Sequence, residues 1–205
     1  MLLHEYEYKI KEHRLKRVIW VLAVVCVVSL ATLGANAWRA EQIRQNYVRT
    51  IVSNLHNLEV MVWGFYNDVE NGIDPIETSR WQDFENTARW IDNDVRRLSA
   101  HRNVQTPTGM SMSMHDFHWH TFTLIQQANN GQPEEAIDFL SRRSNELLEL
   151  IAELSVEWEE EWQGEIVTLR DTNMRLTTRQ FFNRMNRFTS CVAEERQQNL
   201  HRQRD

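Results

Sequence analysis

Turn-forming residues are scarce in this chain, with only 6 glycines and 3 prolines in 205 residues. So few breakers leave little room for the many tight turns of a sheet protein and favour long helices. Cysteine is nearly absent too. Cys26 sits inside an apolar run and Cys191 near the C-terminus, so no intrachain disulfide is expected, and no CxxC or Cys/His spacing suggests a bound metal. Cys191 is either an unpaired thiol on a helix or a cross-link between two chains. Signatures of catalysis are missing: there is no HExxH, Walker loop, GxSxG or GxGxxG. No Glu-x-x-His pair occurs, which excludes the di-iron bundle pattern. The expectation is a protein that is not an enzyme and carries no cofactor.

Charge is unevenly divided. Residues 1–17 carry five Lys/Arg against three Glu, and the chain from Trp38 onward carries eighteen Arg against twenty-six Asp/Glu, within a net charge of −6. All lysines (Lys9, Lys11, Lys16) precede one uncharged stretch, Val18–Leu33, which Gly34–Trp38 extends to the roughly 20 residues needed to cross a bilayer. Basic residues directly before it, with Trp20 and Trp38 near its two ends, predict a single-pass signal-anchor across the plasma or inner membrane. Its N-terminus lies in the cytoplasm and the remainder outside. The rival is a cleaved signal peptide, because Ala35-Asn36-Ala37 fits the small-x-small pattern and would release the chain after Ala37 as a secreted helical binding protein. The length of the apolar run and the helical pattern continuing past it favour retention.

Beyond the anchor, apolar residues recur at three- and four-residue spacing. Tyr47, Ile51, Leu55, Leu58, Val62, Phe65 and Val69 mark a first helix, ended by Asn71-Gly72. Trp81, Phe84, Ala88, Ile91, Val95 and Leu98 mark a second, with Thr78 or Ser79 as its cap. Met110, Met114, Phe117, Leu124 and Ala128 mark a weaker third, closed by Asn129-Asn130-Gly131. A fourth opens at Pro133-Glu134-Glu135 and continues through Leu140, Leu147, Ile151, Leu154, Trp158, Trp162, Ile166 and Leu169. No window of comparable length is read as alternating with period two, so strands are not expected.

The predicted fold is all-α: a transmembrane helix, an up-down four-helix bundle and a long C-terminal helical extension. The predicted organisation is a cytoplasmic arm over residues 1–17, the span over 18–38, the extracytoplasmic bundle over 39–170, and a basic amphipathic tail over 171–205.

Two stretches are candidates for interaction. Eight glutamates and no base lie between Arg143 and Arg170; the next stretch, Arg175 to Arg187, holds four arginines and no acid. Arg175, Arg179, Arg184 and Arg187 alternate there with Phe181, Phe182, Met185 and Phe188 at helical spacing. Such a helix suits a lipid headgroup layer. Alternatively, its aromatics pack on the bundle or on another subunit while the arginines pair with the acidic stretch. The second candidate is the run from Met110 to His120. Its imidazoles and thioethers (His115, His118, His120, Met110, Met114) are soft-metal donors, copper above all. Against that, Met114 belongs to the core stripe, His118 lies on the apolar face, and His115 and His120 diverge. His101 is expected loosely near the start of the third helix.

In organisation alone, a cytoplasmic arm, one span and an exported four-helix bundle are similar to the sensory half of bacterial chemoreceptors. The chain departs from them where the fourth helix leads into the Arg/Phe segment. Neither a second span nor a cytoplasmic signalling coil is expected, so any signal would pass through a separate membrane partner. The leading expectation is a membrane-anchored interaction or scaffold protein. Its partners are the lipid bilayer and, through coiled-coil-like heptad faces, a second copy (a homo-oligomer) or another membrane protein. A ligand- or metal-sensing module is the alternative. Nucleic acid is not an expected partner.

Overall fold

A computed structural model of the chain describes the backbone of residues 2–102 and 110–202 and the side chains of residues 14–100 and 114–190. It is predominantly helical: α1 (Leu2–Glu70), α2 (Ser79–Arg102), α3 (Met110–Asn129), α4 (Glu134–Leu154) and α5 (Thr178–Arg202). Two strands, β1 (Ser155–Trp162) and β2 (Glu165–Thr172), stand between α4 and α5. The chain divides into two compact units, residues 1–43 and 44–205, and α1 contributes to both.

In the first unit α1 is the one helix among the described residues that is long and apolar enough to cross a membrane, and its apolar window is wholly exposed. Val18, Ile19, Trp20, Leu22, Val25, Val28 and Leu33 all face outward. Cys26 is a free, exposed thiol on the same stretch.

The second unit closes around one core. Val48 to Val69 of α1, Phe84 to Leu98 of α2, Met114 to Ile125 of α3 and Ala136 to Leu154 of α4 share it with Leu176 and the Phe181–Phe188 face of α5. Five helices therefore line the core where four were expected, and α3 packs against α2, α4 and α5. The aromatic centre is built from edge-on contacts. Phe65 meets Phe84 at 5.2 Å, Phe84 meets Phe117 at 5.7 Å, and Phe117 meets Phe188 of α5 at 5.7 Å.

The helix ends follow the breakers. Gly72 takes φ +73°, with Ile73 N–H donating to Asp68 O (2.8 Å) and Gly72 N–H to Val69 O (3.1 Å). Gly131 at φ +92° repeats this with Gln132 donating to Gln127 O and Gly131 to Ala128 O. Both are the left-handed caps that glycine adopts without steric cost. Ahead of α2, Asp74 caps a 3-10 turn at Pro75–Glu77, its carboxylate accepting from Ile76 N–H at 2.9 Å.

The expected fourth helix is corrected at its middle. It stops at Leu154; Ser155 is extended, and residues 155–172 form an antiparallel hairpin in register from Ser155↔Thr172 to Trp162↔Glu165. Trp158, Trp162, Ile166 and Leu169 fit a helical stripe, but Val156, Trp158 and Trp162 fit period two equally well. The turn resolves the ambiguity. Gln163 (φ 53°) and Gly164 (φ 85°) form a two-residue connection with both central φ positive, the geometry that matches strand twist. At the hairpin base Asn173 N–H donates to Leu154 O at 2.8 Å.

The stretch expected as a tail, 171–205, contains α5, whose Phe181, Phe182, Met185 and Phe188 belong to the core of the second unit. The start of α5 is a reciprocal cap: Gln180 N–H donates to Thr177 Oγ1 (3.2 Å) while Thr177 N–H donates to Gln180 Oε1 (2.9 Å). Arg44, itself buried, ties the preceding loop to α1 by donating to Leu176 O (3.0 Å) and Met174 O (3.3 Å).

Candidate functional site

The β1–β2 hairpin is the feature that packing leaves unexplained. Alternation places Val156, Trp158, Glu160 and Trp162 on one face, beside Glu165, Val167, Leu169 and Asp171 of the partner strand. The other face carries Ser155, Glu157, Glu159 and Glu161 with Ile166, Thr168, Arg170 and Thr172. Near the base this second face, joined by Asp171, borders a cleft of about 620 Å³ against Arg49, Val52, Ser53 and His56 of α1. Arg170 pairs with Glu157 across the strands, and Arg49 approaches Asp171 at 3.9 Å. On the aromatic face Trp158 is 44% exposed and Trp162 66%; Ile166, at the tip of the other face, is 72% exposed. Large apolar side chains concentrated on one exposed element are what a soluble monomer avoids and an interface uses.

The Arg/Phe stretch is placed differently from a lipid-facing helix. Phe181, Phe182, Met185 and Phe188 are buried in the core. Arg184 donates to the Glu153 carbonyl and Arg187 bonds the Glu153 carboxylate at 2.7 Å. Arg175 and Arg179 are exposed. The apolar face offered by the sequence is thus turned inward, and two of the four arginines meet Glu153, the third of the eight glutamates in the acidic stretch.

The histidines of α3 diverge. His120 is buried against the Phe139 ring of α4, 4.8 Å between centroids and edge-on. Met114 is a core residue, while the side chains of Met110 and His101 lie outside the described residues, as does that of Cys191. His115 and His118 come together on a cavity of about 280 Å³ between α2 and α3, completed by Glu85, Ala88, Arg89, Asp92 and Trp119. His118 stacks obliquely on Trp81 at 5.1 Å and meets Trp119 edge-on at 5.6 Å. Burial holds its imidazole below the usual range, against the upward pull of Glu85, and His115 and Arg89 add to the lowering. Burial likewise raises the Asp92 carboxyl to about 7, with Arg96 opposing. Among the described residues no group of three His, Cys, Asp or Glu side chains is placed to hold a metal ion.

Sequence reasoning missed two structural features. The hairpin had a signal in Gln163-Gly164, flanked by eight strand residues on each side. The α2 side of the cavity had none, because Glu85, Arg89 and Asp92 read as the solvated face of an amphipathic helix. Compared with known proteins, the chain matches no family model, no curated protein and no solved structure.

Proposed function

We propose that this protein is a non-catalytic, membrane-anchored interaction module whose β1–β2 hairpin grips a partner protein outside the cytoplasm. In this reading the apolar part of α1, residues 18–38, is retained as a single span with the N-terminus cytoplasmic. The observation that carries the proposal is the exposed Trp158/Trp162 face of the hairpin, set on a unit whose own core is closed by five helices. Tryptophan is the residue most enriched among those that dominate binding energy. Both hairpin edges are unpaired strands, which can accept an added strand from a partner.

The charge of the hairpin selects the partner's chemistry. Glu157, Glu159, Glu160, Glu161, Glu165 and Asp171 stand against Arg170 alone. Joining two such hairpins face to face would bring like charges together, so the favoured partner is another membrane protein with an apolar pocket rimmed by Lys or Arg. A second copy remains compatible only by docking the hairpin on a different, basic surface.

The test compares the full chain with the double variant Trp158→Ser/Trp162→Ser after extraction in mild detergent. We expect the native chain to travel in an assembly larger than its own mass. The variant should run as the free chain with an unchanged melting temperature, and added salt should weaken the native assembly. An assembly of the same size and salt response in the variant would overturn the hairpin's role.

A further inference from the structure

Two buried polar atoms of the second unit without a hydrogen-bond partner line the same cavity. His118 is 9% exposed and its Nε2 atom is buried without a hydrogen-bond partner. Asp92 lines the same α2–α3 cavity, and its Oδ1 is likewise buried and unpartnered. Leaving a buried acceptor unsatisfied costs free energy comparable to a lost hydrogen bond, so two in one cavity call for an explanation. The cavity holds about 280 Å³, near the lower end of the range for small-ligand pockets.

The chemistry of its wall narrows the occupant. A carboxylate oxygen only accepts when ionised, and a neutral imidazole offers one accepting nitrogen. Glu85 adds a second carboxylate, already bonded to Arg89 at 3.0 Å at the exposed side. Trp119 supplies an indole beside His115 and His118, a surface that attracts cations. Two carboxylates disfavour an anion, and among the described residues no group of three His, Cys, Asp or Glu side chains is placed to hold a metal ion. From these residues we infer that the α2–α3 cavity is a binding site for a small organic ammonium ion. Its N–H groups donate to Asp92 Oδ1 and His118 Nε2, and its carbon chain lies on Trp119.

The cation binds the ionised Asp92. The other groups facing that carboxyl are Glu85, Arg89 and Arg96 from α2 and His115 and His118 from α3. Because burial holds the Asp92 proton to about pH 7, binding displaces that proton below this pH and needs no displacement above it. Neutral His118 is compatible with an adjacent cation.

Calorimetric titration of the full-length protein in detergent with butylammonium chloride tests this, with 1-butanol as the uncharged analogue. We expect saturable one-to-one binding of butylammonium, at least tenfold tighter than 1-butanol. Its affinity should rise about tenfold per pH unit up to 7 and level off above. Asp92→Asn should weaken binding at least tenfold, and His118→Phe, which keeps the ring against Trp81, should weaken it as well. The inference is overturned by equal affinity for 1-butanol, by an affinity that ignores pH, or by an Asp92→Asn variant that binds as the native chain does. Absence of saturable binding at concentrations on the order of 10 mM would overturn it too. None of these outcomes bears on the hairpin.

Discussion

At the scale of single residues, Asp92 couples the α2–α3 cavity to pH. Its folded carboxyl titrates at about 7, whereas an unburied aspartate titrates near 3.8. The folded chain therefore keeps a proton that the unfolded chain releases. Its contribution to stability is full below about pH 4 and is lost as pH rises through 7. Asp92→Asn keeps the shape and removes the ionisation. The variant should match the native chain at pH 4 and exceed it at pH 8 by about 1–2 kcal/mol, allowing for the solvent that reaches this half-buried group. Thermal melts at the two pH values measure this; equal melting at pH 8 would refute it. His118 acts with the opposite sign, because burial favours its neutral form and stability falls as pH drops below 6.5. Where both groups titrate, between about pH 4 and 7, the two slopes oppose each other and flatten the native profile; His118→Phe leaves the Asp92 slope alone, so its stability should fall more steeply as pH rises toward 7.

At the scale of elements, α5 and the hairpin play contrasting parts. Phe182 is 2% exposed and sits edge-on to Phe181 at 5.7 Å. Phe182→Ala should cost about 3 kcal/mol, lowering the melting temperature by roughly 6–12 °C. A lipid-facing residue in that position would leave the melt unchanged, so a calorimetric scan distinguishes the two placements. The hairpin makes little demand on the core, since its strands are exposed except near the base. Gly164→Val forces a branched side chain into left-handed backbone, at about 1–2 kcal/mol. Amide exchange over residues 156–172 should then quicken about tenfold while the bundle's melting temperature stays put. A fall in that melting temperature would mean that the hairpin is part of the cooperative core.

At the scale of the whole molecule, the exposed apolar length of α1 requires a lipid environment or removal. Sixteen uncharged residues from Val18 to Leu33 present their side chains outward. Burying such a stretch in hydrocarbon is favourable by about 0.8 kcal/mol for each buried CH₂ group. The intact chain should accordingly be recovered at full mass from carbonate-washed membranes. A soluble product beginning at Trp38 would replace the anchored reading with that of a secreted binding protein. The bundle's closed core and exposed hairpin would be unchanged by either result.

The sequence by itself determined the helical class, the apolar segment and the C-terminal ends of α1 and α3. Each depends on local chemistry: side-chain spacing, an uncharged run, a glycine that can take positive φ. The candidate core residues of α1 and α2 were legible for the same reason. Beyond Leu154 local chemistry was ambiguous, because Trp158 and Trp162 satisfy a helical and an extended period at once. There the Gln163-Gly164 turn sets the hairpin, and only the tertiary structure shows that Phe188 of α5 packs on Phe117 in the core. That packing turns the Arg/Phe face inward, with the hairpin outside the core. The cavity was beyond sequence for another reason: Glu85 and Asp92 come to line one cavity with His115 and His118 only when α2 and α3 pack side by side, a contact between positions some thirty residues apart.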